Sequence, residues 1–200
     1  MKQDATKTRR HVVSRLARMA RGLRRKVADE QGAAAIEMAI ILPFLLILLL
    51  GSVEMFLMSM ASRKAARVTN TVGDLVAQAP GKLTKTAIAK YYKAAQYILG
   101  KLPKENLGLT IYVYGKNSKG KLHLRWKHHL GNASCQSKPP KLNASHKAAM
   151  QDGNDLVFTF GCYRYPVQIG KMVFGNHTFT LNSQVVLRPR QQLTLACKDC

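Results

Sequence analysis

Glu37 and Glu54 are the only charged side chains between Ala33 and Met60. Carboxylates in so apolar a setting are costly unless paired, and they are functional by default. Just before Glu37 lies the run Gly32-Ala33-Ala34-Ala35. A cut after Gly32 would create an amino group on Ala33 and make Glu37 the fifth residue of the new chain. That amine is the natural partner for Glu37, in the same chain or in a neighbour within an assembly. A side chain that snorkels to the membrane surface is the competing reading. Glu54 reads as a solvated carboxylate at the outer interface, with Arg63 or Lys64 of a neighbouring copy as an alternative partner.

Other chemistry is sparse. The sequence carries no nucleophile elbow, H-E-x-x-H, phosphate loop or dinucleotide fingerprint, so neither an enzyme nor a cofactor is expected. His128-His129 reads as a solvated loop beside Lys127 rather than a ligand pair. The four cysteines are Cys135, Cys162, Cys197 and Cys200. On an oxidising side of a membrane they are expected to form two structural disulfides, with all three pairings open. A redox C-x-x-C at 197–200 and a four-cysteine zinc site are the competing chemistries. The first opens no helix that would lower a thiol pKa, and no metal is expected.

These residues must be positioned by three regions of very different composition. The chain has 200 residues and a formal charge of +22, from 32 Lys/Arg against 10 Asp/Glu. That excess points to a polyanion, a membrane surface or an acidic partner. Residues 1–32 carry ten Lys/Arg and three Asp/Glu, a basic head of net +7. Residues 33–60 contain no Lys or Arg. As a helix these 28 residues would reach about 42 Å, and about 20 apolar residues suffice to cross a bilayer core of about 30 Å. A buried core helix is the competing reading, but Ile40-Ile41-Leu42 and Phe44 to Leu50 are apolar on every face and nothing else in the chain is apolar enough to surround them in water. Pro43 within the span removes one helical N–H and reads as a tolerated kink. The basic flank keeps the head in the cytoplasm, so residues 61–200, of net +17, face the other side, the periplasm of a bacterial inner membrane. Within the head, Val12, Leu16, Met19, Leu23 and Val27 share one helical face. The head reads either as an amphipathic helix on the anionic inner leaflet or as a tail that only sets topology.

The order of these features reverses that of a secretory signal, in which the small-residue cleavage site follows the apolar core. It resembles a type IV prepilin: a basic leader ending in Gly, a cut before a small residue, Glu at the fifth mature position, then an apolar helix. The finer pattern resembles the TadE-like family, the minor pseudopilins of the tight-adherence (Flp) pilus system. Its carriers are Gly32, Ala34, Glu37 and Ala39, then Pro43, then Gly51-Ser52-Val53-Glu54. The resemblance covers residues 31–60. It implies cleavage between Gly32 and Ala33 by a prepilin peptidase that reads Glu37, and a non-catalytic role in pilus assembly. The partners implied are other pilins or pseudopilins and the inner-membrane assembly platform, with membrane lipid around the helix.

Beyond the span, Ala65, Val68, Val72, Leu75 and Ala79 form an amphipathic stripe that carries the helix onward until Ala79-Pro80-Gly81-Lys82 stops it. A second helix is expected over 84–99. It sets Ile88, Tyr91, Tyr92, Ala95 and Ile98 or Leu99 on one side and Lys85, Lys90 and Lys93 on the other, with Gly100 as C-cap. From Leu107 the period changes to two: Leu109, Ile111 and Val113, a turn at 116–120, then Leu122, Leu124 and Trp126 on one face. Residues 131–154 read as a long loop, and 156–160, 171–174 and 178–187 as further strands. The fold class is therefore α+β. A single transmembrane helix continues into an amphipathic one, followed by a small periplasmic domain with a helix and an antiparallel sheet of four or five strands. The competing function is an uncleaved, membrane-anchored module that binds DNA or an acidic polysaccharide on a face built from Tyr112, Tyr114, Trp126 and nearby cations. Nucleic acid is not the expected partner.

Overall fold

A computed structural model describes residues 30–117, 120–133, 138–150, 154–171, 175 and 177–200. The basic head, except Glu30 to Gly32, lies outside the described residues, as does Cys135. Helix α1 runs unbroken over Glu30–Ala77 through Pro43. Then come α2 (Lys85–Gln96), two 3-10 turns (Tyr97–Leu99 and Lys104–Asn106), β1 (Leu107–Lys116), β2 (Leu122–Gly131), α3 (Ala144–Ala149), β3 (Leu156–Pro166) and β4 (Thr178–Leu187). The fold is α+β, with a long apolar helix at the start and a four-stranded antiparallel sheet of order β2-β1-β3-β4.

The chain forms two units, 1–52 and 53–200. In the first, the large apolar side chains from Ile36 to Leu50 are exposed. Among the described residues one helix is long and apolar enough to cross a membrane.

In the second unit the expected stripe is present. Ala61, Ala65, Val68, Val72, Val76 and Ala79 are buried, at helical spacing, against one face of the sheet. Leu75 lies at the stripe's edge and is half-buried. Thr84 caps α2 by accepting from Ala87 N at 3.2 Å, and Ile88, Tyr92 and Ala95 face the same core. The sheet supplies Leu109, Ile111, Val113, Trp126 and Leu130 to this face. Its other face holds Tyr112, Tyr114, Leu156, Phe158 and Phe160, covered in part by Met150 and Ala149.

Three expectations need correction. Leu124 and Trp126 do not share a face. A bulge shifts the register so that Tyr114 opposes Leu124 while Val113 opposes Trp126. Arg125 is the extra residue, and Trp126 turns to the helix side. His128 and His129 are in β2, not in a loop. The stretch 131–154 contains α3, six residues capped by Asn143 and His146, which bond reciprocally. The strand expected at 171–174 falls on residues outside the described ones except Lys171, which is not in a strand.

The strand directions give the second unit two ends. β1 begins and β3 finishes at one end, where Leu107 opposes Tyr163 and Pro166 opposes Thr178. At the other end Tyr114 opposes Leu156 and Val157 opposes Leu187. The C-terminal segment is tied down at that second end: Arg190 N donates to Ala77 O, Leu83 N to Ala196 O and Lys198 N to Leu83 O, at 2.9, 2.9 and 3.0 Å.

Candidate functional site

The first end of the sheet carries an arrangement built around Glu54. β3 stops at Pro166, and the turn that follows leaves Gln168, Ile169 and Gly170 with backbone donors the sheet does not use. Three successive N–H groups aimed the same way make an anion-binding concavity. Glu54 fills it. Its Oε1 accepts from Gln168 N at 3.0 Å and its Oε2 from Ile169 N at 2.6 Å and Gly170 N at 3.3 Å. Tyr165, the last buried aromatic of β3, donates its hydroxyl to Oε1 at 2.8 Å. Gln168 Nε2 bonds Pro166 O at 3.1 Å and holds the turn in shape. Burial first, and then the hydrogen bond to Glu54, push the Tyr165 phenol above the ordinary tyrosine range, so it stays a donor.

Glu54 is therefore not a freely solvated carboxylate. Four donors from a segment more than a hundred residues later hold it. Charge-assisted hydrogen bonds are the strong ones, each worth about 1.5–3 kcal/mol. Leu57 and Met58, the next turn of α1, pack against the core.

Glu37 is placed quite differently. It is exposed, amid apolar side chains, and makes no ion pair or hydrogen bond with any described residue. Gly32 and Ala33 lie in the first turns of α1, ahead of it.

At the opposite end, a second carboxylate closes the domain. Asp155 is fully buried. Its Oδ1 meets Arg125 Nε at 2.8 Å, and its Oδ2 accepts from Leu195 N at 2.8 Å. Trp126 Nε1 donates to Leu195 O at 2.9 Å. Gly115 makes room, since a Cβ there would collide with both Arg125 and Asp155. This cluster fastens the C-terminal segment.

Cys197 and Cys200 form a disulfide with Cα atoms 5.5 Å apart, and Cys162 is also disulfide-bonded. Cys197, Asp199 and Cys200 lie close together, but both sulfurs are committed to that bond. Tyr112, Tyr114 and Trp126 are all buried, and Trp126 lies on the other face from the two tyrosines, so they build no stacking platform. His129 Nδ1 is 2.9 Å from Thr110 Oγ1. The half-buried His128 is held below its usual pKa by burial first, then by Lys85.

The family model described as TadE-like protein matches residues 32–73, taking in Gly32, Glu37, Pro43, Gly51 and Glu54. No curated protein and no solved structure matches the chain.

Proposed function

We propose that this chain, TadE-like over residues 32–73, is a minor, non-catalytic pseudopilin that supports assembly of a tight-adherence (Flp) pilus from the bacterial inner membrane. One observation carries the reading: the match begins at Gly32 and ends at Gly73, inside the folded domain, along a single helix. The helix that carries the match exposes apolar side chains in the first unit and packs its later residues into the core of the second, which supports the reading. The residues ahead of Glu54 number 21 from Ala33 to Val53, with Glu37 their one charge, about 32 Å of helix against a bilayer core of about 30 Å. Glu54 then falls at the outer edge of the span, and the domain begins there.

In this reading residues 1–32 are a cytoplasmic leader, 33–60 contain the span, and 61–200 complete the periplasmic domain. A prepilin peptidase cuts between Gly32 and Ala33. Glu37 is read by that peptidase and afterwards neutralises the Ala33 amine, and the pilins and assembly platform are the partners. Intact-mass measurement on protein from native membranes is expected to show loss of the first 32 residues, whereas a full-length chain beside an active peptidase would overturn the reading. Deleting the protein is expected to abolish surface pili while the major pilin is still made and inserted. Normal piliation would favour an anchored binding module instead.

Glu37→Gln separates the two jobs of that carboxylate. An unpaired charge costs about 2.5–3.5 kcal/mol at a bilayer centre and less near the interface. Since about 1.4 kcal/mol is a factor of ten, processed Glu37→Gln protein is expected to insert but co-purify at least several-fold less with partner pilins. Equal recovery with wild type would remove the charge-pairing role.

A further inference from the structure

The end of the sheet that holds Glu54 is also lysine-rich. The segment 97–106 enters β1 there, and Gly170 leads directly into Lys171. Lys101, Lys104 and Lys171 are exposed at this end. From α1, Lys64 reaches the same segment and places its Nζ 3.3 Å from Leu99 O. Tyr97 is 77% exposed, with Lys104 Nζ 4.7 Å from the ring centroid. Among the described residues the acids here are Glu105, which is exposed, and Glu54, whose two oxygens already accept four hydrogen bonds. The surface therefore offers ammonium groups and an amphipathic aromatic, with one free carboxylate against them. Lysines whose stems lie on apolar surface, and tyrosines with one apolar and one polar end, are the side chains that settle at a membrane–water boundary.

We propose that this end of the domain docks on the outer face of the bilayer and binds anionic phospholipid headgroups through Lys101, Lys104 and Lys171, with Tyr97 in the interfacial layer. The proposal rests on the reading of the apolar helix as a membrane span. Continuity decides the occupant: Glu54 lies near the outer end of the apolar run and is bonded to the residue that precedes Lys171, so the nearest polyanion is the bilayer surface itself. The attraction of each Lys to such a surface is lost within a Debye length.

The test uses the full chain in lipid nanodiscs of phosphatidylcholine alone or with about 30 mol% phosphatidylglycerol, read by amide hydrogen exchange. Alkaline extraction from matched vesicles checks separately that the helix is inserted, so failure of the span and failure of the docking are distinguishable. Residues 97–106 and 167–171 are expected to exchange several-fold more slowly with the anionic lipid. The protection should vanish in about 0.5 M NaCl, where the Debye length is only about 4 Å, and in the triple variant Lys101→Glu, Lys104→Glu, Lys171→Glu. Charge reversal at the far end, Lys121→Glu with Arg188→Glu, should leave it intact. Unchanged fluorescence of the single buried Trp126 reports that each variant is folded. Equal exchange in the two lipids, protection that survives the triple reversal, or equal protection from inorganic phosphate alone would overturn the proposal.

Discussion

Glu37 and Glu54 are the same residue type on one helix, and the chain treats them by opposite means. Glu54 is satisfied within its own chain, whereas Glu37 is exposed and has no partner among the described residues. Glu54→Gln keeps the shape but sets an amide donor among four donors. Given about 1.5–3 kcal/mol for each hydrogen bond to a charged group, its melting temperature in detergent is expected to fall by several degrees. Glu37→Gln should melt as wild type does. Tyr165→Phe removes one of the four donors and should cost less than Glu54→Gln. The Tyr165 phenol has a raised pKa in the fold. Its contribution is therefore complete below the unfolded value of about 10 and is lost as pH rises above it, because the unfolded chain releases its proton first. Denaturant midpoints between about pH 9 and 11 should decline less steeply for Tyr165→Phe. A parallel decline would exclude Tyr165 as the titrating group. The spacing Gly51-x-x-Glu54 was legible in the sequence, but its purpose was not. Three of the four donors are backbone N–H groups, which every non-proline residue carries, and they arrive from 114 to 116 positions away.

The elements were the most legible level, and the failures there share a cause. The stripe from Ala65 to Ala79 and the alternation from Leu107 to Val113 are long enough to reveal their period, and both elements form where expected. The six residues of α3 are too few to show a helical period, so the helix is defined by its Asn143 cap instead. Arg125 breaks the alternation of β2 from within, because only Asp155, 30 residues later, explains why it bulges. Helix and sheet meet closely at two glycines. A Cβ on Gly73 would stand 2.9 Å from Val185 Cγ1, and one on Gly161 would collide with Thr69 Oγ1. Thr69 Oγ1 is itself held 2.7 Å from Ser183 Oγ, so it cannot turn away freely. Gly161→Ala is expected to destabilise by about 1–3 kcal/mol, the usual cost of overpacking. In a Thr69→Ala background, which clears that oxygen, the same change should cost less. Additive losses in a double-mutant cycle of denaturant melts would show that the helix is not pressed against β3 at that point.

At the scale of the molecule, the packed unit begins before the apolar run has ended. A chain started at Val53 keeps the Glu54 cradle, Leu57 and Met58, whereas one started at Ala61 loses all three. The first is expected to unfold cooperatively and the second at a clearly lower temperature. Coincident melts would mean that residues 53–60 add nothing to the domain. From Glu54 to Ala77 the helix is about 35 Å long, close to the roughly 33 Å of a ten-residue strand. It starts beside the end of β3 and finishes where Ala77 O accepts from Arg190 N, just past β4. Helix and strand are fastened at intervals: by Glu54 below, by Thr69 on Ser183, by Gly73 against Val185, and by Asp74 on Arg190 at 3.1 Å. A tensile load drawn along the helix therefore acts on these fastenings in shear and in parallel. They must yield together rather than peel one after another.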